Sequence, residues 1–162
     1  MRSTMALLAL LISGIAFAIE PNSPGDLSVI VFVSPTDRFI EEWISTPPEH
    51  GPTIKRIQEA KADQLVYVGF IVTGYTTDDN GSTTFDVDVR VVYPSGEELF
   101  KKDKFAVYHG APRSAGFVLA DPVLELMIES TDPMGQYTIQ AVVHDRVIGK
   151  TATGEAVLNI TP

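Results

Sequence analysis

The sequence contains no cysteine. Disulfide staples, thiolate catalysis and Cys-based zinc sites are therefore excluded, and any fold must be held by burial and hydrogen bonding. Positive charge is scarce too: 12 Lys and Arg stand against 21 Asp and Glu, a formal net charge of −9. Phosphate backbones are bound through clustered cations that release counterions, so neither nucleic acid nor an anionic membrane surface is an expected partner. The histidines, His50, His109 and His144, lie far apart in the chain, in neither H-x-H nor H-E-x-x-H spacing, and are expected to be separately exposed. No serine sits in a G-x-S-x-G elbow; the nearest arrangement is His109 upstream of Ser114 in a flexible stretch. Glu97 and Glu98 adjoin a Pro-Ser-Gly turn and do not face one another across a cleft. Neither Gly110-Ala111-Pro112 nor Gly149 makes a lysine-tipped phosphate cradle. No catalytic residue and no cofactor are expected.

What the chain does have begins at residue 1. Arg2 gives a short positive region, and Ala6 to Ala18 form an apolar run interrupted only by Ser13 and Gly14. A membrane span needs about 20 apolar residues, more than this run supplies. It ends in Ala16-Phe17-Ala18, the small-x-small pattern of a signal-peptidase site, and no cysteine follows for lipid attachment. Residues 1–18 read as a cleaved signal peptide, 19–26 as an extended lead, and 27–162 as one domain, with no membrane insertion after cleavage.

Within 27–162 the dominant period is two. Leu27 to Val33 is an apolar, β-branched run bounded by turn formers, the mark of a strand buried on both faces. Ser34-Pro35-Thr36-Asp37 then opens a short helix over 37–45, capped by Asp37 or Thr36. Phe39, Ile40, Trp43 and Ile44 share one of its faces, and Pro47-Pro48 stops it. This helix is expected to cover an end or edge of the strands; the alternative is a partner-facing patch of Phe39, Trp43 and Ile44. Residues 51–63 fit a helix by composition and equally a strand at 53–57 followed by a turn at Ala62-Asp63. Leu65 to Tyr75 reads as a central strand. Phe85, Val87, Val89 and Val91 alternate with Asp86, Asp88 and Arg90, predicting apolar residues inside and charges outside. Further strands are expected over 97–103 with a continuation at 105–109, and over 123–129, 137–144 and 155–161. About eight short strands with little helix predict an all-β antiparallel sandwich. Tyr67, Tyr75, Tyr93 and Tyr108 fall near strand ends, where aromatic residues serve as core or as a binding surface.

Asp78-Asp79-Asn80-Gly81 invites a calcium reading, because carboxylate and amide oxygens on alternate residues are hard-cation ligands. An EF-hand loop with Gly81 at its sixth position would have Val87 at the twelfth, where a bidentate Glu is required. A hairpin turn accounts for the segment better, leaving Asp78, Asn80 and Asp86 as the metal candidates of a weak surface site.

Asp132-Pro133-Met134-Gly135-Gln136-Tyr137-Thr138-Ile139, followed by alternating apolar residues, resembles the entry to the penultimate strand of immunoglobulin-like, fibronectin-III-like and macroglobulin-like domains of bacterial extracytoplasmic proteins. The resemblance covers roughly residues 122–162. It implies an immunoglobulin-like sandwich with Tyr137 as the corner tyrosine, its hydroxyl bonded to nearby backbone. The family's cysteine pair is missing, and Trp43, the single tryptophan, stands in the helix rather than a core strand. Such folds carry many functions. The expectation is a periplasmic or secreted non-enzymatic module that binds another envelope protein through a sheet face or edge; the alternative is a small-ligand or cation binder with a loop-end pocket.

Overall fold

The computed structural model describes residues 25–48, 50–113 and 116–162. The signal-peptide segment and nearly all of the 19–26 lead lie outside these. In chain order the elements are β1 (Ser28–Ser34), α1 (Arg38–Ser45), β2 (Glu59–Lys61), β3 (Leu65–Thr73), β4 (Thr83–Val92), β5 (Glu98–Gly110), β6 (Phe117–Leu119), β7 (Leu124–Met127), β8 (Gly135–Asp145) and β9 (Thr151–Thr161). The chain is an all-β sandwich. One sheet runs β1-β3-β6 with β7 also on β3, and the other runs β2-β9-β8-β4-β5. With β1, β3 and β6/β7 as strands A, B and E, and β4, β8 and β9 as C, F and G, the arrangement is immunoglobulin-like.

Alternation builds the core between the sheets. Phe85, Val87, Val89 and Val91 of β4 face Val66, Val68, Phe70 and Val72 of β3, and all are essentially inaccessible to water. At full burial each such side chain contributes roughly 1.5–3 kcal/mol. Tyr137 is buried among them, and its hydroxyl donates to the Pro133 carbonyl at 2.7 Å.

The sheets depart from the expected pattern in five places. One pair is parallel, not antiparallel: β2 runs alongside the end of β9. The 51–63 segment holds neither a helix nor a strand at 53–57. A helix would place Ile54 and Ile57 on one side, whereas the extended chain sends Ile54 to the outer face of the four-stranded sheet and Ile57 to the main core. The strand there is β2, and Asp63, at φ 61°, makes the turn that follows. The Asp78–Gly81 turn does not close a hairpin, because β3 and β4 belong to different sheets and the chain crosses between layers there. Phe117–Leu119 forms an additional strand. Together β6 and β7 make one interrupted edge along β3, broken over residues 120–123.

The fifth departure concerns the helix. It lies on the outer face of the four-stranded sheet, not over an end or edge. Phe39 packs edge-on against Phe32 with ring centroids 5.0 Å apart, and Trp43 meets Phe117 at 5.5 Å. Ile71, Tyr67 and Leu119 complete this second apolar cluster. Phe32 therefore faces the helix while Val31 and Val33 face the main core, which makes β1 apolar on both sides where the helix covers it. Asp37 occupies the N-cap position, but its side chain makes no capping bond. The Ser34 hydroxyl instead donates to the Thr36 carbonyl at 2.8 Å and fixes the chain entering the helix. Among the described residues no helix is long and apolar enough to cross a membrane.

Candidate functional site

The densest polar cluster lies on the outer face of the five-stranded sheet. Asp86 and Asp88 are two apart on β4 and so share the face opposite the core valines. The β4–β8 register sets His144 directly across from Asp86, and Arg146 follows just past β8. Asp86 is 4% exposed, so the charge expected outside is buried. It is tolerated because Arg146 grips it with two guanidinium nitrogens, Nε at 2.5 Å and an Nη at 2.8 Å. This pairing raises the Arg146 pKa further above its ordinary value, against an opposing effect of desolvation.

Asp88 performs a second task. Between Val87 and Val89 it stands alone on β4, whereas β5 carries Asp103, Lys104 and Phe105 between the partners Lys102 and Ala106. This bulge puts Lys104 at φ 49° and takes its amide out of the ladder. Asp88 Oδ1 accepts that amide at 2.8 Å, while Oδ2 lies 2.8 Å from His144 Nε2. Burial opposes ionisation of Asp88, but the Lys104 amide, His144 and Arg146 outweigh it and hold the carboxyl below its ordinary value.

Asp86, Asp88 and His144 each offer a ligand atom within 4.8 Å of the others. Two carboxylates and an imidazole are a donor set for a divalent cation. Here both Asp86 oxygens are held by Arg146, Asp88 Oδ1 by the Lys104 amide and Asp88 Oδ2 by His144, so a cation would compete with Arg146 for Asp86 and part His144 from Asp88. As arranged, the cluster braces β8, β4 and the β5 bulge. The metal candidates Asp78 and Asn80 are not in it. Asp78 Oδ1 accepts the amides of Asn80 at 2.9 Å and Ser82 at 3.0 Å, which fastens the turn. His109 Nδ1 is 2.8 Å from the Thr84 hydroxyl, and Ser114 lies outside the described residues. Glu98 pairs with Arg90 at 3.0 Å, both half-exposed. Of the suggested partner-facing trio, Phe39 is buried, Trp43 is half-buried against Phe117, and Ile44 alone stands exposed. Tyr75 and Tyr108 pack on Phe85, Tyr93 on Tyr137, and Tyr67 in the cluster under the helix, so all four tyrosines serve packing.

A different kind of site runs along β5. This thirteen-residue strand is the last of its sheet, and no strand among the described residues pairs with its outer side. Among the described residues only Val107 has its amide turned to a backbone partner there, the Asp121 carbonyl at 3.3 Å. Asp86 stands opposite Val107, and Arg90, four residues on and in the same phase of the ladder, stands opposite Lys101. The Lys101 backbone groups thus point away from β4. Lys101, Lys102 and Lys104 are all exposed. Lysines along an edge suppress indiscriminate strand pairing.

No family model and no curated protein matches the chain. Solved structures of similar shape share little sequence with it. They include the alkylpurine DNA glycosylase AlkC of Pseudomonas fluorescens bound to DNA containing an abasic site analog, with 13% identity and a TM-score of 0.48 over 84% of this chain. The chain spans only 30% of that enzyme's length. A CARDB domain from Pyrococcus furiosus, solved in complex with di-metal ions, has 14% identity and a TM-score of 0.41, covering 84% of this chain and 88% of its own. A Niemann-Pick type C2 protein from the Japanese carpenter ant has 10% identity and a TM-score of 0.44, covering 83% and 92% respectively.

Sequence reasoning found Asp86 and Asp88 but not His144, Arg146 or the Lys104 amide. The Asp-x-Asp alternation marks two carboxylates on one strand face, yet only the β4–β8 register shows that His144 is opposite them. Nothing local marks Lys104 as the residue whose amide Asp88 receives.

Proposed function

We propose that this chain is an exported, non-enzymatic module of the bacterial envelope that binds another protein by accepting an extended segment alongside β5. The observation that carries the reading is the free outer edge of a thirteen-residue strand at the margin of the larger sheet. An added strand gains main-chain hydrogen bonds there without rearranging the sandwich. The bulge at Lys104 and the Val107–Asp121 bond confine the usable edge to the Glu98–Lys102 half, whose lysines favour an acidic partner segment. The signal-like residues 1–18 support export. Against catalysis stands the state of the densest polar cluster among the described residues, whose acids are committed to Arg146, His144 and the Lys104 amide.

The test is Lys101→Pro, which removes an outward amide and leaves the β4–β5 ladder whole. A partner cross-linked to the tagged protein in envelope extracts should be lost in this variant and kept in Gly51→Ala. Amide exchange at Leu99–Lys101 should slow in the wild type when the partner is bound. Retention of the partner by Lys101→Pro, or slowed exchange elsewhere only, rules out this edge. An intact-mass measurement that finds residues 1–18 still attached in the envelope fraction rules out the cleaved, exported form.

A further inference from the structure

We propose that Asn80 is a site of spontaneous deamidation by the Gly81 backbone nitrogen, and that the Asp78 carboxylate holds this reaction in check. Of Asn22, Asn80 and Asn159, only Asn80 precedes a glycine. Asn22 is followed by serine, and Asn159 by the buried, β-branched Ile160. A side chain on the following residue crowds the attacking nitrogen, and glycine has none. At Gly81 a β-carbon would meet nothing within 4 Å, and Asn80 is itself exposed, so water reaches the reacting atoms.

The reactants are already joined, because the step closes a ring between adjacent residues. The Gly81 nitrogen gives up its proton and bonds to Cγ of Asn80. The Cγ–Nδ2 bond breaks and ammonia leaves. Water then opens the cyclic imide at either of its carbonyl carbons. Breaking the new Cγ–N bond leaves an aspartate at position 80. Breaking the original peptide bond instead leaves an isoaspartate, which adds a carbon to the backbone where the chain crosses between the sheets. In both cases water is consumed, ammonia is released and a carboxylate is gained.

The folded turn opposes the first of these bonds. The Gly81 amide donates to the Asp78 carbonyl at 2.9 Å, and it must leave that carbonyl to reach Cγ. Asp78 Oδ1 accepts the amides on either side of it, Asn80 at 2.9 Å and Ser82 at 3.0 Å. The Asp78 amide in turn donates to the Ser82 carbonyl at 2.8 Å. Reaction therefore proceeds from the opened turn, at a rate set by how often the turn opens. The side chain of Asp78 is the part of this clamp that can be removed without touching the backbone or the reacting pair.

The experiment incubates the purified protein at one fixed pH, in buffer and in urea, and follows its tryptic peptides by mass spectrometry. Fragment ions locate each exchange of –NH2 for –OH. In buffer Asp78→Ala should react about tenfold faster than the wild type, since losing hydrogen bonds to a charged acceptor shifts a local equilibrium by about that factor. Asp78→Asn keeps an acceptor oxygen and should stay near the wild-type rate at Asn80. In urea all three should react alike, because the turn is open in each. No reaction at Asn80 in urea, or faster reaction at Asn22 or Asn159, would overturn the proposal by removing the site. Equal rates for the wild type and Asp78→Ala in buffer would overturn it by removing the guard. So would an Asp78→Asn rate matching that of Asp78→Ala, or an Asp78→Ala advantage in urea as large as in buffer, because local charge would then set the rate.

Discussion

The ring of Phe32 on β1 lies across its cross-strand partner Gly69 on β3, so near that a β-carbon at Gly69 would stand 2.2 Å from the ring's Cζ. Glycine is needed there for space, because Phe32 carries the helix. Gly69→Ala is expected to destabilise the protein by roughly 1–3 kcal/mol, the usual cost of overpacking, despite the strand propensity that alanine adds. The urea midpoint should fall, and emission from Trp43, the only tryptophan, should shift to the red as the helix lifts. Gly51→Ala is the control, since a β-carbon there meets nothing within 4 Å. Equal stability of the two variants would show that the ring moves aside freely.

How much of this was legible beforehand follows from the range of the forces. The Phe85–Val91 alternation needs only a sheet with one buried face, so it was readable from the residues alone. The helix was readable from the spacing of Phe39, Ile40, Trp43 and Ile44. What it covers was not, because Ile71 and Phe117 look like any core residues until the strands' inward and outward positions are known. Asp86 looked solvated for the same reason. Its cover, Arg146, comes from a turn beyond a neighbouring strand, a relation set by register. The 51–63 segment misled because composition reports helix propensity, while tertiary packing pulled Ile54 and Ile57 to opposite sides.

Asp145 joins two loops at one end of the sandwich. It is 1% exposed, and its carboxylate accepts the Thr76 amide at 2.8 Å from the β3–β4 crossing and the Val147 amide at 2.8 Å within the β8–β9 turn. Asp145→Ala leaves these donors without partners and should cost about 2–3 kcal/mol. Asp145→Asn, which keeps an acceptor oxygen, should cost less. Amide exchange should quicken at Thr76 and Val147 together. Acceleration at only one of them would mean that the carboxylate does not couple the loops.

The Tyr137 hydroxyl offers a simpler measurement. Its bond to the Pro133 carbonyl at 2.7 Å is the polar contact of an otherwise buried ring. Tyr137→Phe keeps the packing and should lose about 1 kcal/mol in urea unfolding. Tyr137→Leu, which also empties space in the core, should lose more. If Tyr137→Phe matches the wild type, water replaces the hydroxyl at the carbonyl without loss.

Asp88 gives stability a specific dependence on acid. Burial favours its neutral form, yet the Lys104 amide, His144 and Arg146 together keep the folded-state carboxyl below the ordinary value of 3.8. A carboxyl depressed in the folded state contributes its full stabilisation above the unfolded value and loses it as pH falls through the folded one. The side chain is 30% exposed, and solvent screening limits the contribution at pH 5 to about 1 kcal/mol. Asp88→Asn keeps an acceptor for the Lys104 amide but removes the charge, so its stability should lack this component. Urea unfolding of both proteins from about pH 5 down to about pH 2 should show the wild type's advantage shrinking below pH 3.8. Other acids titrate in this range too, but they act in both proteins and cancel in the difference. Parallel curves across the whole range would mean that the charge on Asp88 adds nothing and that the bulge is held by the neutral hydrogen bond alone.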